Sequence, residues 1–356
     1  MEDRKMTPME RVLCTLGFRE PDRVPFFLML TLHGAKELGL DIKTYFSKAE
    51  YVVEGQVRMQ EKFGHDCLYP FFYAPIEVEA FGGEVIYSEN GPPNSGAPVI
   101  GHPETIRSLE PPRIEDAPCL AKVLDAISGL KERVGDAVPI IGVVMSPFSL
   151  PVMQMGFESY LVLMHEEPRL FWRLMRINEK FCVDWAGAQL AAGATALCYF
   201  DPVSSPDIVP RPVYQQTGFE VARRTLPAIN GPTATHLASG RSLSIIEDLA
   251  ATGTQAVCPS AVEDLAAVKA ACAGRLSILG NLNGIEMRRW TPETAENRVR
   301  EAIAKAGPGG GFILADNHGE IPFQVPDAVL FAISEAVHAR GGYPLKDSHF
   351  EKGDLL

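Results

Sequence analysis

Eight apolar runs of strand length alternate along the chain with segments of helical period, and this alternation constrains the fold most. The runs are Val24–Met29, His65–Phe72, Pro139–Met145, Ala194–Phe200, Ala234–Leu237, Gln255–Cys258, Leu276–Leu279 and Gly311–Leu314. Apolar recurrence at i, i+3 and i+4 predicts helices over Pro118–Arg133, Tyr160–Ala192, Val213–Leu226, Ser242–Ala251, Val262–Ala273 and Pro292–Ala306. Most of these stop near a glycine, at Gly193, Gly253, Gly274 and Gly307. Strands that are apolar throughout are buried on both faces, and helical crossovers join such strands in parallel. Eight units of this kind predict an α/β fold, a closed (β/α)₈ TIM barrel. An open doubly wound sheet is the competitor, but no GxGxxG follows the first strand.

Thr7-Pro8 predicts the start of an N-terminal helix, with Met9, Val12, Leu13 and Leu16 on one face. The stretch from about 77 to 117 fits the barrel least. It holds Gly82-Gly83, Gly91-Pro92-Pro93 and Pro111-Pro112 with a β-like piece at Glu84–Ser88, and reads as a hairpin excursion after strand two. No linker divides the chain, so residues 1–356 are expected to form one domain.

Composition narrows the function classes. Lys+Arg 33 against Asp+Glu 45 gives a net charge of −12, which repels phosphate backbones and anionic membranes and argues against a nucleic-acid reader. No run approaches the roughly 18 apolar residues of a membrane span, and the opening MEDRKMTPMERV lacks a signal-peptide core. Seven cysteines without a CxxC pair fit reduced thiols in a cytoplasm.

In a TIM barrel the chemistry lies at the C-terminal strand ends. Strand one runs out toward Thr31 and His33, and strand two ends in Tyr69, Phe71, Phe72 and Tyr73. Strand three ends at Met145-Ser146, strand four at Asp201-Pro202, and strand five carries His236. Strand six carries Cys258, strand seven Asn281 and Asn283, and strand eight ends in Asp316-Asn317-His318-Gly319-Glu320. Each has a bland alternative. His236 fits a hydrogen-bonded core histidine, Cys258 a small buried hydrophobe, and Asp201 a helix cap. The aromatics with Met29, Met145, Met153 and Met155 fit either core packing or an apolar pocket for a planar substrate.

The segment TPMERVLCTLGFREPDRVP resembles the opening of the uroporphyrinogen decarboxylase family. Further likenesses are Ser146-Pro147-Phe148-Ser149-Leu150 with Gly156-Phe157-Glu158, Tyr199-Phe200-Asp201-Pro202 with Ser205-Pro206-Asp207, and Gly280-Asn281-Leu282-Asn283-Gly284. The resemblance runs from about residue 6 to 345 and implies a (β/α)₈ barrel. Decarboxylases of this family carry Met-Arg-Gln-Ala-Gly-Arg after strand one to grip substrate carboxylates. Here Phe27-Leu28-Met29-Leu30-Thr31-Leu32-His33 stands in that place, without an arginine. The family's other branch exchanges methyl groups with a corrinoid protein and holds zinc with His-x-Cys on strand five and a cysteine after strand eight. This chain has His236 with Ala238, and His318 after strand eight.

The resemblance therefore implies a corrinoid-dependent methyltransferase working on a small methylated donor, a methyl ether or methylamine. The corrinoid would be carried by a partner protein, since no cobalamin-binding DxHxxG segment is present. His236, His318 and Cys258 are the expected zinc ligands, with Asp316 and Glu320 as further candidates. Asp201 and Asn281 are expected to orient the substrate beside His236 and His318. Tyr69, Phe72, Tyr73 and Met145 are expected to line its apolar side. A His-rich zinc site is harder and more Lewis-acidic than a thiolate-rich one, which favours demethylation over methylation of a thiol. The alternatives are a decarboxylase or lyase of a non-porphyrin acid, and a non-catalytic barrel that has lost its ligands. The resemblance also leaves a homodimer open.

Overall fold

The computed structural model describes residues 5–345. Its strands are β1 (Phe26–Phe27), β2 (Val85–Ile86), β3 (Asn94–Ser95), β4 (Ile141–Met145), β5 (Ala196–Phe200), β6 (Thr233–His236), β7 (Ala256–Cys258), β8 (Ser277–Leu282) and β9 (Phe312–Asp316). Seven form one parallel sheet in the order β1-β9-β8-β7-β6-β5-β4. The segment around Leu68 closes it. The Asp66 amide donates to the Phe26 carbonyl at 2.8 Å, and the Leu68 amide to the Pro139 carbonyl at 2.8 Å. The Leu68 carbonyl in turn accepts from Ile141 at 2.9 Å. The expected second strand is thus reduced to a bridge, Leu68 against Ile140, yet it completes the barrel.

Register fixes what faces inward. Met145 pairs with Phe200, Phe200 with His236, and His236 with Cys258. Neighbours in parallel register point to the same face, so these four side chains form one layer at the C-terminal end of the barrel. The opposite face, with Val257, Ile278, Phe312 and Leu314, packs under the helices against Leu265, Val268, Val299 and Ile303.

Two expected helices are broken. Tyr160–Ala192 is two helices, Phe157–Glu166 and Pro168–Ala192, because Pro168 has no N–H to continue the ladder and instead starts the second. Val213–Leu226 divides at Thr217 into Arg211–Gln216 and Gly218–Thr225. The two longest helices not expected from the sequence are Ala49–Phe63 and Asp327–Arg340. The first packs so tightly on the Tyr45 phenol that a Cβ at Gly55 would lie 2.7 Å from its oxygen.

The N-terminal helix Pro8–Leu16 starts in a capping box. Thr7 Oγ1 accepts from the Glu10 amide at 3.1 Å, and the Glu10 carboxylate accepts from the Thr7 amide at 2.8 Å. Its Arg11 reaches into the bottom of the barrel, where it meets Asp22 at 2.6 Å and Asp66 at 2.7 Å. Arg23 also meets Asp66 at 2.7 Å.

The excursion is a hairpin, β2 antiparallel to β3 with Val85 opposite Ser95. It roofs one side of the barrel mouth. The Ile100 amide donates to the Gln154 carbonyl at 2.9 Å in the loop after β4, and Gln324 after β9 donates to the Asn90 carbonyl. No helix of the described residues is long and apolar enough to cross a membrane.

Candidate functional site

His236 ends β6 and is fully buried. Its ring stacks on Phe200, with centroids 4.5 Å apart and planes 14° from parallel. Phe200 stacks in turn on Phe71 at 6.2 Å and 7°, and Phe71 lies 5.6 Å from Tyr69. An aromatic column therefore crosses the mouth from strand two to β6. Nδ1 of His236 accepts the Ala238 amide at 3.0 Å, so the neutral ring carries its proton on Nε2. Nε2 is buried and has no partner. Burial, with a contribution from His318, lowers the pKa to about 3 and keeps the ring neutral.

The turn after β6 holds two consecutive non-glycine residues in the left-handed region, Ala238 at φ 46° and Ser239 at φ 74°. Such conformations are costly and persist where the surroundings enforce them. Here the Ser239 amide is tied to the Asn317 carbonyl at 2.8 Å, and Ser239 Oγ lies 3.1 Å from His318 Nδ1. The turn thus couples the strand that bears His236 to the loop that bears His318. That loop is folded by Asp316, whose Oδ2 accepts the amides of His318 at 2.9 Å and Gly319 at 2.8 Å. Gly319 has φ 91°, and a Cβ there would lie 2.1 Å from Phe200 Cζ and 3.2 Å from His236 Cε1. Only glycine lets this loop close on the aromatic column.

Two carboxyls complete the mouth. Asp316 is buried with Oδ1 unpartnered, and burial raises its pKa to about 6 against the pull of the two amides. Glu320 accepts from the Thr31 hydroxyl, and burial raises its pKa to about 7.

Of the other expected site residues, Tyr69 and Met145 belong to this mouth, while Asp201, Asn281, Phe72 and Tyr73 make their contacts outside the aromatic column. Asp201 has both oxygens occupied, Oδ1 by Ser146 at 2.5 Å and Ser149 at 2.8 Å, Oδ2 by Ser204 at 2.5 Å. Burial raises its pKa while the serines oppose the rise. It knits the loops after β4 and β5. Asn281 donates to the Ser260 carbonyl at 2.9 Å and lines a cleft of about 250 Å³ with Val262, Asn283, Glu286 and Trp290. Phe72 stacks on Phe46 at 5.4 Å, and Tyr73 meets Phe46 at 5.5 Å and Tyr87 at 5.8 Å, under the excursion. Tyr69 donates to the Gly319 carbonyl at 3.1 Å. Phe200, Phe71, Ser239 and Gly319 were not singled out from sequence as site residues. Phe200 was legible in principle, as the interior neighbour of His236 once register is assigned.

Met145 sits in the same layer as Phe200, and its amide donates to Glu77 Oε1 at 2.8 Å. Glu77 Oε2 is buried without a partner, and burial pushes the carboxyl up to about 8. A carboxyl whose folded pKa exceeds its unfolded value of about 4.3 stabilises the fold fully below that value. The contribution is lost as pH rises toward 8, at about 1.4 kcal/mol per pH unit. Glu77→Gln should remove this slope. Urea unfolding at pH 5 and pH 8 is expected to show the variant gaining on the wild type as pH rises. A constant difference would contradict it.

The zinc ligands implied by the resemblance do not converge. Among the described residues no group of three or more His, Cys, Asp or Glu side chains is placed to hold a metal ion. The Cys258 thiol points to the Asp316 carbonyl at 3.6 Å, and burial pushes its pKa well above the ordinary thiol range. His236 Nδ1 is occupied, and a protonated Nε2 has no lone pair to give. As arranged, these donors do not fit a three-ligand zinc site.

Residues 7–340 match the uroporphyrinogen decarboxylase (URO-D) family. The chain belongs to that family. It is 27% identical to a uroporphyrinogen decarboxylase of Alkalilimnicola ehrlichii over 261 residues, 68% of each chain. It is 25% identical to a methylated-thiol–coenzyme M methyltransferase of Methanosarcina mazei over 304 residues, 84% of this chain and 82% of the other. A solved methyltransferase from Methanosarcina mazei shares the fold, with a TM-score of 0.79 at 20% identity, covering 94% of this chain and 99% of that one. Both chemistries of the family thus stand among its relatives, and the mouth itself has to discriminate between them.

Proposed function

We propose that this protein moves a methyl group from a small methylated donor, an ether or amine, to the cobalt of a corrinoid protein. The observation that carries the reading is the chemistry of the mouth. It presents an aromatic column, two imidazoles and two carboxyls, and among the described residues no arginine contacts any of these groups. The stretch after β1 buries Met29 and Leu30 where the decarboxylases place arginines. A substrate with eight carboxylates would meet like charge there without a bidentate partner.

The flat faces of Phe71 and Phe200 suit an apolar or cationic methylated group. His236 Nε2–H is a buried donor without a partner, and in this reading it hydrogen-bonds an ether oxygen or the lone pair of a neutral amine. In the transfer, the bond between methyl carbon and heteroatom breaks with its electron pair on the heteroatom; an ether oxygen then takes up a proton from solvent, whereas a methylammonium nitrogen leaves as the neutral amine. The cobalt, reduced in the accepting corrinoid, supplies the pair for the new bond to carbon. A donor preorganised in a dry site stabilises the developing charge without reorganisation. Zinc enters no step of this reading.

The test is incubation of the purified protein with cob(I)alamin and a panel of methyl ethers and methylamines, followed by the absorbance of methylcobalamin. Transfer from at least one donor is expected, together with no formation of coproporphyrinogen from uroporphyrinogen. Coproporphyrinogen formation would overturn the reading in favour of a decarboxylase.

A further inference from the structure

Between the second strand and β4, side chains complete the barrel wall. The Ile141 amide still reaches the Leu68 carbonyl at 2.9 Å, but beyond that point the second strand turns away to build the mouth. Alternate residues of a strand turn their backbone groups to the same neighbour, so Val143 and Met145 face the gap. Gln189 meets Val143, accepting its amide at 3.0 Å and donating to its carbonyl at 2.8 Å. Glu77, on the helix Ile76–Ala80, accepts the Met145 amide on Oε1 at 2.8 Å. Two side chains thus stand where a strand would run, and beside them lies a slot of about 10 Å³.

Two polar atoms at this slot are unpaired. Glu77 Oε2 and Trp185 Nε1 have no partner among the described residues, on side chains 2% and 1% exposed. Both side chains line the slot, together with Phe71, Phe72, Val143 and Met145. Buried polar groups are nearly always hydrogen-bonded, so two orphans on one cavity point to a bound group. The volume holds one water-sized atom. An indole N–H only donates, which disfavours a cation, and an anion would meet the Glu77 carboxyl in an otherwise apolar wall. A hydroxyl oxygen suits Glu77 in either protonation state. It accepts from the indole and from the acid proton, or accepts from the indole and donates to the carboxylate. Burial holds this carboxyl up at about 8, so the acid form prevails at neutral pH.

We propose that the slot binds one hydroxylic oxygen between the Trp185 indole N–H and the Glu77 carboxyl. Phe71 and Met145 wall the slot and also belong to the mouth, Phe71 in the aromatic column and Met145 in the layer of Phe200. The bound oxygen therefore firms the seat against which the methyl donor rests, and Glu77 is a positioning residue for that donor. The oxygen is either solvent water or a hydroxyl of the donor itself. The positioning role rests on the proposed methyl transfer; the site does not.

The test uses nuclear magnetic resonance of the indole N–H groups in the full chain, which has three tryptophans. Trp185→Phe assigns the Trp185 signal. Without donor, a nuclear Overhauser cross-peak between the Trp185 indole proton and bound water is expected. Glu77→Gln should keep it, because the amide oxygen still accepts from Met145 and the NH₂ replaces the acid proton. Glu77→Leu should lose it. At saturating donor, a persisting cross-peak identifies the oxygen as water, and a cross-peak to the donor identifies the donor's own hydroxyl; both support the site. With a reacting donor, Glu77→Leu and Trp185→Phe should each raise KM about fivefold or more, the effect of one lost hydrogen bond, and Glu77→Gln should stay within about twofold of wild type. Trp185→Phe carries the same expectation where Glu77→Leu does not fold. A wild-type signal with no cross-peak to water or to donor would overturn the inference, as would a cross-peak unchanged in Glu77→Leu. A KM no higher in Glu77→Leu than in Glu77→Gln would overturn the positioning role, since packing alone predicts that order. The cross-peak needs no corrinoid, so an intact cross-peak without methyl transfer from any donor rejects the methyl-transfer reading and leaves the site.

Discussion

Asp66→Ala is expected to destabilise the barrel by about 3–5 kcal/mol, the range for removing one partner of a buried charge network. Asp66 is 1% exposed and holds two guanidiniums, Arg11 at 2.7 Å and Arg23 at 2.7 Å and 3.0 Å. Its Oδ2 also accepts the Phe26 amide at 2.9 Å, while its own amide donates to the Phe26 carbonyl. The substitution leaves Arg11, itself 4% exposed, with Asp22 alone, and Arg23 with no carboxylate. It also cuts a tie between β1 and the bridge at Leu68, where the barrel closes with fewest hydrogen bonds. Urea unfolding at neutral pH gives the measurement. A loss below about 1 kcal/mol, the value of an exposed pair, would mean that the network is not a closure of the barrel.

That network accounts for a sequence signal whose meaning was hidden. The segment TPMERVLCTLGFREPDRVP carries the family likeness most clearly, and its charged residues Arg11, Asp22 and Arg23 lie at the bottom of the barrel, at the end opposite the candidate site. Its function is to seal the N-terminal end. The same holds for the later motif residues Ser146, Ser149 and Asp201, which the Ser204 hydroxyl joins. They look catalytic as a set of polar residues at strand ends, but they satisfy one another in a buried cluster. Sequence could not show this, because Ser146 and Asp201 are 55 positions apart and their pairing is created by the β4–β5 neighbourhood.

The barrel itself was legible because strands buried on both faces must be apolar throughout, and their spacing counts the units. The second strand is the exception. Its run His65–Phe72 is long, yet only the Leu68 position forms a ladder, and Tyr69, Phe71, Phe72 and Tyr73 leave the strand to build the aromatic mouth and the seat of the excursion. His236 and His318 were legible as residues at strand ends on one mouth. Their relation was not. It depends on the left-handed turn at Ala238 and Ser239, a backbone conformation that neither residue type announces.

The largest expected effect on function is at His236. His236→Phe should lower methyl transfer about 10²–10³-fold, the usual effect of removing one preorganised donor from a reacting atom. Phenylalanine preserves the stack on Phe200 and fills the same buried volume, so the substitution isolates the two ring nitrogens. Losing Nδ1 also releases the Ala238 amide, whose bond at 3.0 Å helps to hold the strained turn. That cost belongs to stability, about 1–3 kcal/mol for an orphaned buried donor, and a thermal unfolding midpoint separates it from the chemical effect. His236→Gln provides the decisive comparison. Its amide oxygen can accept from Ala238 while its NH₂ replaces Nε2–H, so it should recover activity well above His236→Phe. If the role of His236 were packing alone, phenylalanine would be the better substitute and the order of the two variants would reverse. Donor chemistry and core packing thus predict opposite rankings for the same two proteins, measured by methylcobalamin formation at saturating donor.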